Sequence, residues 1–313
     1  MNISIIIPVY NAAAYIEKAV TSALFHTEVK EVVVVNDGST DNSLAIVQKL
    51  QKRDDRVKIY HHENNSNKGR SASRNLALQK ATQPFIAFLD ADDFYLENRF
   101  DTDKKIFAAD STVEGAYSAV GFQFYRNITE KESRELKLHT IKEIIPPYKL
   151  FESLFDGKKG DFHINGLTLR KCVLDKTGFF NEKLKVAEDT DFQLKLALMC
   201  KLLPSNLTQA VALRGIHDTN IFNDENIYKQ YRFEMYESVI RWSFQNNIQV
   251  SKIDVLLNWL FYYRYKEKYS LLTELNYWFY LLKSNPKLIA STLAIKYCPI
   301  IRKRKQLFPI LFR

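Results

Sequence analysis

The chain has only three cysteines in 313 residues, Cys172, Cys200 and Cys298, too far apart and too unlike paired ligands for a disulfide framework or a zinc ribbon. It has no apolar run of the roughly 18 to 20 residues that a membrane-spanning helix needs. Its start, Met1-Asn2-Ile3-Ser4, lacks the basic segment and long apolar stretch of a signal peptide, so a cytosolic protein is expected. Acids are scarce only toward the end. From Lys229 to Arg313 there are 15 Lys and Arg against 5 Asp and Glu, a net of +10, so the preceding residues sum to −1 and the chain's net charge of +9 comes from this part. No recognition motif accompanies that charge, and nucleic acid is not an expected partner. What is abundant is apolar, 46% of residues, which excludes general disorder and allows one large domain or a domain with an appendage.

The first hundred residues repeat one design. Ile3 to Asn11 is a β-branched run ended around Pro8, followed by a helical pattern from Ala12 to Phe25. Glu31 to Val35 is a second such strand, then the turn Asn36-Asp37-Gly38-Ser39-Thr40-Asp41, then a helix from about Asn42 to Lys52 with Asp41 as its expected cap. Val57 to Tyr60 is a shorter strand, and the polar loop Asn64 to Ser71 leads into a helix from Ala72 to Lys80. Strands alternating with helices of this length predict right-handed crossovers and a mainly parallel sheet, with a site at the carboxyl ends of its strands. Asn11, Asp37, the Arg70/Arg74 region and the acids from Asp90 to Asp93 all fall at such ends.

The fourth strand, Phe85-Ile86-Ala87-Phe88-Leu89, runs straight into Asp90-Ala91-Asp92-Asp93-Phe94-Tyr95. Three carboxylates in four residues repel one another. A hard divalent cation, a helix N-terminus just beyond, or bulk water would relieve them, and Asp92 or Asp93 capping a helix over Leu96 to Ala109 is the plain alternative to a metal site. A second acidic element, Ala187-Glu188-Asp189-Thr190-Asp191, opens a helix marked by Phe192, Leu196 and Met199. Acids there also complement the helix dipole, so they too carry a purely structural reading. Between the two lie a strand expected over Gly115 to Tyr125 and a charged loop or hairpin over Arg126 to Leu138. A further strand, Val211 to Ile216, ends beside Arg214 and His217.

Ser4 to Asn11, Val32 to Ser43, Asn67 to Asn75 and Leu89 to Asp93, in that order, resemble the successive signatures of the family 2 glycosyltransferases, inverting enzymes with the GT-A nucleotide-diphospho-sugar transferase fold. The likeness covers about residues 1 to 220, which implies a catalytic domain with a nucleotide-binding half (1–110) and an acceptor-binding half (111–220). It implies a base pocket of Pro8, Tyr10, Asn11 and Asp37, with Tyr10 packing on the base and Asp37 accepting from its ring N–H. Arg70 or Arg74 would approach the nucleotide. Asp90, with its neighbour Ala91, would meet the ribose or donor sugar, and Asp93 a sugar hydroxyl. Asp92 would bind Mn²⁺ or Mg²⁺, with His217 completing the metal or diphosphate site. The Glu-Asp pair, about a hundred residues after the first acids, makes Asp189 the implied general base, with Glu188 and Asp191 orienting the acceptor or the helix start.

The implied reaction moves a sugar from a nucleotide donor, expected to be a UDP-sugar, to a hydroxyl of a glycan or lipid-linked glycan acceptor in lipopolysaccharide, capsule or other surface-glycan synthesis. Processive relatives carry Gln-x-x-Arg-Trp; here Ser238 precedes Arg241-Trp242, and addition of one hexosyl or N-acetylhexosaminyl unit per encounter is expected. Two other readings fit less well. A nucleotidyltransferase would place a glycine-rich basic loop after its first strand, where this chain has Val9-Tyr10-Asn11-Ala12-Ala13-Ala14. A catalytically idle sugar-binding protein would lose acids that are all present. Residues 221–313 read as a helical, aromatic and basic appendage. Its end, Ile300 to Arg313, joins Arg302-Lys303-Arg304-Lys305 to apolar side chains, a combination suited to the anionic inner face of the cell membrane.

Overall fold

A computed structural model describes residues 1–155, 157–218 and 225–311. The described chain divides into two compact units, Met1–Glu225 and Asn226–Arg313. The expected domain limit at residue 220 lies outside the described residues.

Ten strands occur among the described residues of the first unit: β1 (Ile3–Val9), β2 (Val29–Asn36), β3 (Val57–His61), β4 (Phe85–Phe88), β5 (Phe94–Tyr95), β6 (Gly115–Tyr117), β7 (Val120–Phe124), β8 (Leu167–Arg170), β9 (Leu202–Pro204) and β10 (Ala212–Ile216). The helices beside them are α1 (Ile16–Leu24), α2 (Ser43–Arg53), α3 (Arg70–Lys80), α4 (Asp101–Ala109), α5 (Glu130–Glu135), α6 (Pro147–Ser153), α7 (Leu174–Thr177) and α8 (Glu188–Met199). The large sheet has the order β3-β2-β1-β4-β8-β6-β9, and β5-β10-β7 form a second, small sheet. The first four strands pair in parallel, whereas β8 runs antiparallel to both β4 and β6.

Every residue of β1 is buried, as a central strand covered on both faces requires. Ile5, Ile7, Val32 and Val34 face α1 and α2 through Ile16, Ala19, Val20, Ala23, Val47 and Leu50. Their neighbours Ile6, Val33 and Val35 point the other way, where α3 packs on β1 and β2. The strand order reverses between β1 and β4, and this is the point at which an open α/β sheet parts to admit a ligand. Pairing of β4 with β1 ends at Phe88 opposite Ile6, so the strands diverge two residues before Pro8.

Several expectations are corrected. The fourth strand ends at Phe88, one residue short of its expected limit at Leu89, and Phe94 and Tyr95 beyond the acids form β5 in the small sheet. The helix after it begins at Asp101, with Phe100 at its cap position, so neither Asp92 nor Asp93 caps it. The strand expected over Gly115 to Tyr125 splits into β6 and β7, which belong to different sheets. The charged stretch after it holds the short helix α5, opened by a capping box in which Thr129 and Glu132 satisfy each other's backbone N–H. Asp41 does not cap α2, since the cap position is Asn42. Instead Asp41 accepts from Ser43 N and Oγ with one oxygen and from Ala13 N with the other, tying the starts of α1 and α2 together.

The second unit is helical, as its aromatic pattern predicts: α9 (Glu225–Gln245), α10 (Val250–Lys266) and α11 (Leu271–Ser284), then the four short helices Pro286–Ile289, Thr292–Lys296, Pro299–Arg302 and Arg304–Leu307. Met235, Val239, Ile240, Leu256, Leu257, Leu260, Leu281 and Tyr297 form its interior. Its buried charged pair is well supported: Arg264 meets Glu274 at 3.2 Å and lies 3.5 Å from the Tyr277 ring centre, and Tyr277 donates to Glu237 at 2.5 Å. Among the described residues no helix is long and apolar enough to cross a membrane.

Candidate active site

The acids after β4 form a tight turn, closed by the Asp93 N–H donating to Asp90 O at 3.1 Å. Their side chains diverge. Asp90 turns toward α3, where Arg74 Nη2 donates to its Oδ1 at 2.5 Å. Asp92 is half-buried and lies 2.9 Å from His217 Nε2. Asp93 turns inward and is buried, accepting from Gly215 N at 2.7 Å and from Asn165 Nδ2. The same Asn165 accepts from the Asp90 backbone N–H at 3.2 Å, so one buried amide staples both ends of the turn. Gly215 is required where β10 crosses this turn: a Cβ there would lie 2.4 Å from the Asp92 carbonyl oxygen.

Electrostatics follow the geometry. Burial acts to raise the Asp90 carboxyl, but Arg74 and Arg70 outweigh it and hold it well below the usual carboxylate range. Burial, reinforced by Asp92 and Asp90, pushes Asp93 well above that range. This inward, satisfied carboxyl is an architectural group that holds β10 against the acid turn, and its partners are protein atoms where a sugar hydroxyl is the partner implied by resemblance.

The second acidic element meets the first through Arg74. Arg74 is 1% exposed, and its Nη1 donates to Glu188 Oε1 at 2.8 Å while its Nη2 holds Asp90. Arg70, one helical turn earlier, reaches the same Glu188 oxygen at 2.8 Å through Nε. Glu188 is therefore buried and paired with two cations. Burial still leaves its carboxyl raised, with Arg70 and Arg74 opposing and Asp189 adding to the shift. Asp191 is also buried, held by Lys195 Nζ at 2.5 Å, so the acceptor-orienting role offered for it meets a side chain turned into the protein. Asp189 alone of the three is half-exposed; its Oδ1 accepts from Thr190 N at 2.8 Å. The helix is entered through Ala187 in a left-handed conformation, φ 61° and ψ 16°.

At the ends of β1 and β2, Tyr10 is 52% exposed and Asn11 adopts φ 47°, a left-handed turn that asparagine tolerates. Asn11 Oδ1 accepts from Thr40 N at 2.8 Å, and the Asn11 N–H donates to Ser39 Oγ, so the two loops are stitched together. Asp37 accepts from the N–H groups of Lys68 and Gly69 at 2.7 and 2.9 Å, with His62 Nε2 at 3.6 Å. Its two oxygens retain further lone pairs, so a base N–H can add to these bonds.

Sequence reasoning missed several members of the site. Arg74, expected beside Arg70 as an approach to the nucleotide, is the hub of the acidic cluster. Asn165 carried no local signal. His163, Nδ1 of which accepts from Asn165 N at 3.3 Å, is held neutral by burial and by the Arg214 and His139 charges, its pKa lowered to about 3. Tyr15 stacks on the His217 ring at 5.1 Å and fixes its plane.

A sheet parted at its switch point, a carboxylate turn at the end of β4 and a second acidic helix start define the GT-A class of glycosyltransferase fold. Residues 4–176 match the family model described as glycosyl transferase family 2. The chain belongs to that family. It is 32% identical over 219 residues to the chondroitin synthase of Pasteurella multocida, an alignment covering 70% of this chain and 21% of that protein. It is 30% identical over 197 residues to the succinoglycan biosynthesis protein ExoU of Rhizobium meliloti, covering 61% of this chain and 55% of that one. The chain thus spans only about a fifth to about half of the length of these curated relatives. Among solved structures, residues 1–349 of S. aureus TarS in complex with UDP-GlcNAc superpose with a TM-score of 0.66 at 20% identity, covering 98% of this chain and 92% of that one. The Pyrobaculum calidifontis mannosyltransferase PcManGT, in complex with GDP-Man and Mn²⁺, gives a TM-score of 0.55 at 17% identity, covering 98% and 87%.

Proposed function

We propose that this glycosyltransferase is an inverting, metal-dependent enzyme that moves one hexosyl or N-acetylhexosaminyl unit from a UDP-sugar to a hydroxyl of a surface-glycan acceptor. The observation that carries the reading is the guanidinium of Arg74, which binds Asp90 and Glu188 together: the acid turn at the end of β4 and the helix start bearing Asp189 belong to one site. The UDP donor and the polysaccharide context are supported by the UDP-GlcNAc bound to the TarS neighbour and by the names of the curated relatives.

In this reading Asp189 accepts the proton of the acceptor hydroxyl as its oxygen bonds to the anomeric carbon. The bond from that carbon to the diphosphate breaks on the opposite face, and its electron pair leaves with the phosphate oxygen, so configuration inverts. Tyr10 offers an exposed ring to the base, Asp37 takes a base N–H, and Asp90 holds the ribose or sugar, already ionised by Arg74. Asp92 and His217 fit a divalent cation: they supply one carboxylate and one imidazole, and no group of three His, Cys, Asp or Glu gathers among the described residues. The remaining positions then fall to phosphate oxygens and water, as hard cations prefer, and the imidazole favours Mn²⁺ over Mg²⁺. Such an ion would offset the charge of the departing diphosphate. A panel of nucleotide sugars, assayed for nucleotide release with a glycan acceptor and with Mn²⁺ or EDTA, tests the reading. Mn²⁺-dependent release of UDP is expected; turnover unchanged in EDTA, or binding of no nucleotide, overturns it.

The C-terminal segment bears on where this reaction occurs. After Glu274 the sequence contains no Asp or Glu, and Ile300, Ile301, Leu307, Phe308, Ile310 and Leu311 are exposed beside Arg304 and Lys305. An anionic bilayer matches both properties, each basic group near its surface contributing about 1 kcal/mol. Full-length protein should sediment with phosphatidylglycerol vesicles, and both a truncation lacking residues 300–313 and the double substitution Arg304→Glu, Lys305→Glu should lose most of that binding. Equal sedimentation of both variants would refute the attachment.

A further inference from the structure

The peptide that carries Asp189 is entered through a backbone conformation its sequence does not favour. Ala187 sits at φ 61°, where a Cβ crowds the following carbonyl and where glycine or asparagine is the usual occupant. Such a conformation persists only where the surroundings over-determine it. Here the surroundings are identifiable. Glu188, the next residue, is 2% exposed, and its Oε1 is gripped at 2.8 Å by both Arg70 Nε and Arg74 Nη1. Arg70 Nη2 also reaches the Lys185 carbonyl at 3.4 Å, on the other side of the strained residue. Arg74 is itself anchored by Asp90 and by the Phe180 ring, 5.4 Å from its guanidinium carbon. The first helical bond after the turn, Asp191 N–H to Ala187 O, measures 3.0 Å and exists only while the turn holds.

We infer that Arg74, assisted by Arg70, is a positioning residue: it holds the left-handed turn at Ala187 through Glu188 and so sets where Asp189 stands relative to the donor acid Asp90. Arg74 need not touch substrate. Buried and bound on both sides by carboxylates, it works through the two chain segments it joins. Placing a general base is worth this construction, because a misplacement of about 1 Å in a reacting group can cost about 10²-fold in rate.

The test separates positioning from both direct substrate contact and plain stability. Arg74→Lys keeps a buried cation but can no longer bridge two carboxylates in a fixed fork. Amide hydrogen exchange over residues 185–191 should quicken by about tenfold or more in this variant, as a local opening replaces the held turn. Adding Ala187→Gly, which removes the crowding without supplying any contact, should restore much of the protection. In the kinetic arm, which rests on the proposed role of Asp189, turnover of the donor consumed by the wild type should fall with Arg74→Lys and recover in part with Ala187→Gly. UDP affinity, measured by calorimetry, should be indifferent to the glycine. Glu188→Gln, which retains the side-chain shape, serves as the second variant and should show the same loss and the same recovery. Unchanged exchange at residues 185–191, or no recovery with Ala187→Gly in either background, overturns the inference. Failure of the wild type to bind UDP would instead overturn the functional reading and leave the exchange arm to be decided separately.

Discussion

Asp189→Asn is expected to leave UDP affinity within about twofold of wild type while transfer falls by about 10³-fold, the loss that removal of a general base typically brings. The substitution is close to isosteric, and the amide oxygen can still accept the Thr190 N–H that Asp189 now accepts at 2.8 Å, so the start of α8 is preserved. What the amide cannot do is take a proton. The competing account of this residue is that an acid in the first turn of a helix merely complements the dipole, worth about 0.3–1 kcal/mol of stability. On that account the melting temperature would drop slightly and turnover would follow it, staying within about tenfold of wild type. A melting curve and a turnover measurement on the same sample therefore decide between the two. Glu188 cannot substitute, because both arginines occupy it and it is almost wholly buried.

The half of the fold that could be read from the sequence is the half whose strands are buried on both faces. Ile5–Ile7 and Val32–Val35, the centres of β1 and β2, are unbroken β-branched runs, and each strand is followed by a helix with one apolar stripe, so length and period agree. Beyond Phe88 that agreement thins, although the run from Val211 to Ile216 does mark β10 (Ala212–Ile216). Strands of two to five residues, β5 to β10, are too short to carry a period, and which sheet each joins depends on partners far away: β5 pairs with β10, over a hundred residues later. Helix α5 does carry a local signal, since Thr129 and Glu132 stand at capping-box spacing.

The site divides in the same manner. Asp90, Asp92 and Asp189 announce themselves because charges crowded at a strand end or a helix start need an explanation. Their separate orientations do not, since whether a carboxylate at this turn faces inward or outward depends on Gly215 and Asn165 arriving from elsewhere in the chain. Arg74 is the clearest case. An arginine within a helix reads as a surface residue, and only the fold brings Glu188, 114 positions away, against it. Burying such a cation is costly unless both its partners are in place, so its burial is itself evidence that the two acidic elements are held as one unit.

Asp92 and Asp93 stand side by side, yet their amide variants should fail in different ways, and this contrast is the sharpest check on the metal assignment. Asp92 is half-buried, and its Oδ2 lies beside His217. Asp92→Asn should therefore change stability by less than about 1 kcal/mol, yet reduce Mn²⁺-supported turnover by about 10²-fold or more, the scale for losing one charge-stabilising group at a reacting centre. Raising the Mn²⁺ concentration should recover part of that loss, because an amide oxygen remains a weak ligand. His217→Ala should fall less, by about tenfold to a hundredfold, since the carboxylate stays. Asp93→Asn is different: its carboxyl accepts from the Gly215 N–H and from Asn165 Nδ2, and an amide in either rotamer turns an N–H₂ group toward one of those donors. That mismatch is buried, and it should cost about 1–3 kcal/mol of stability, a loss that no concentration of Mn²⁺ repairs. Calorimetric titration of Mn²⁺ into the UDP-saturated protein, set beside thermal melts of the three variants, reads both effects. If Asp92→Asn binds Mn²⁺ as the wild type does, or if excess Mn²⁺ rescues Asp93→Asn and leaves Asp92→Asn unmoved, the carboxylate that holds the metal has been misassigned.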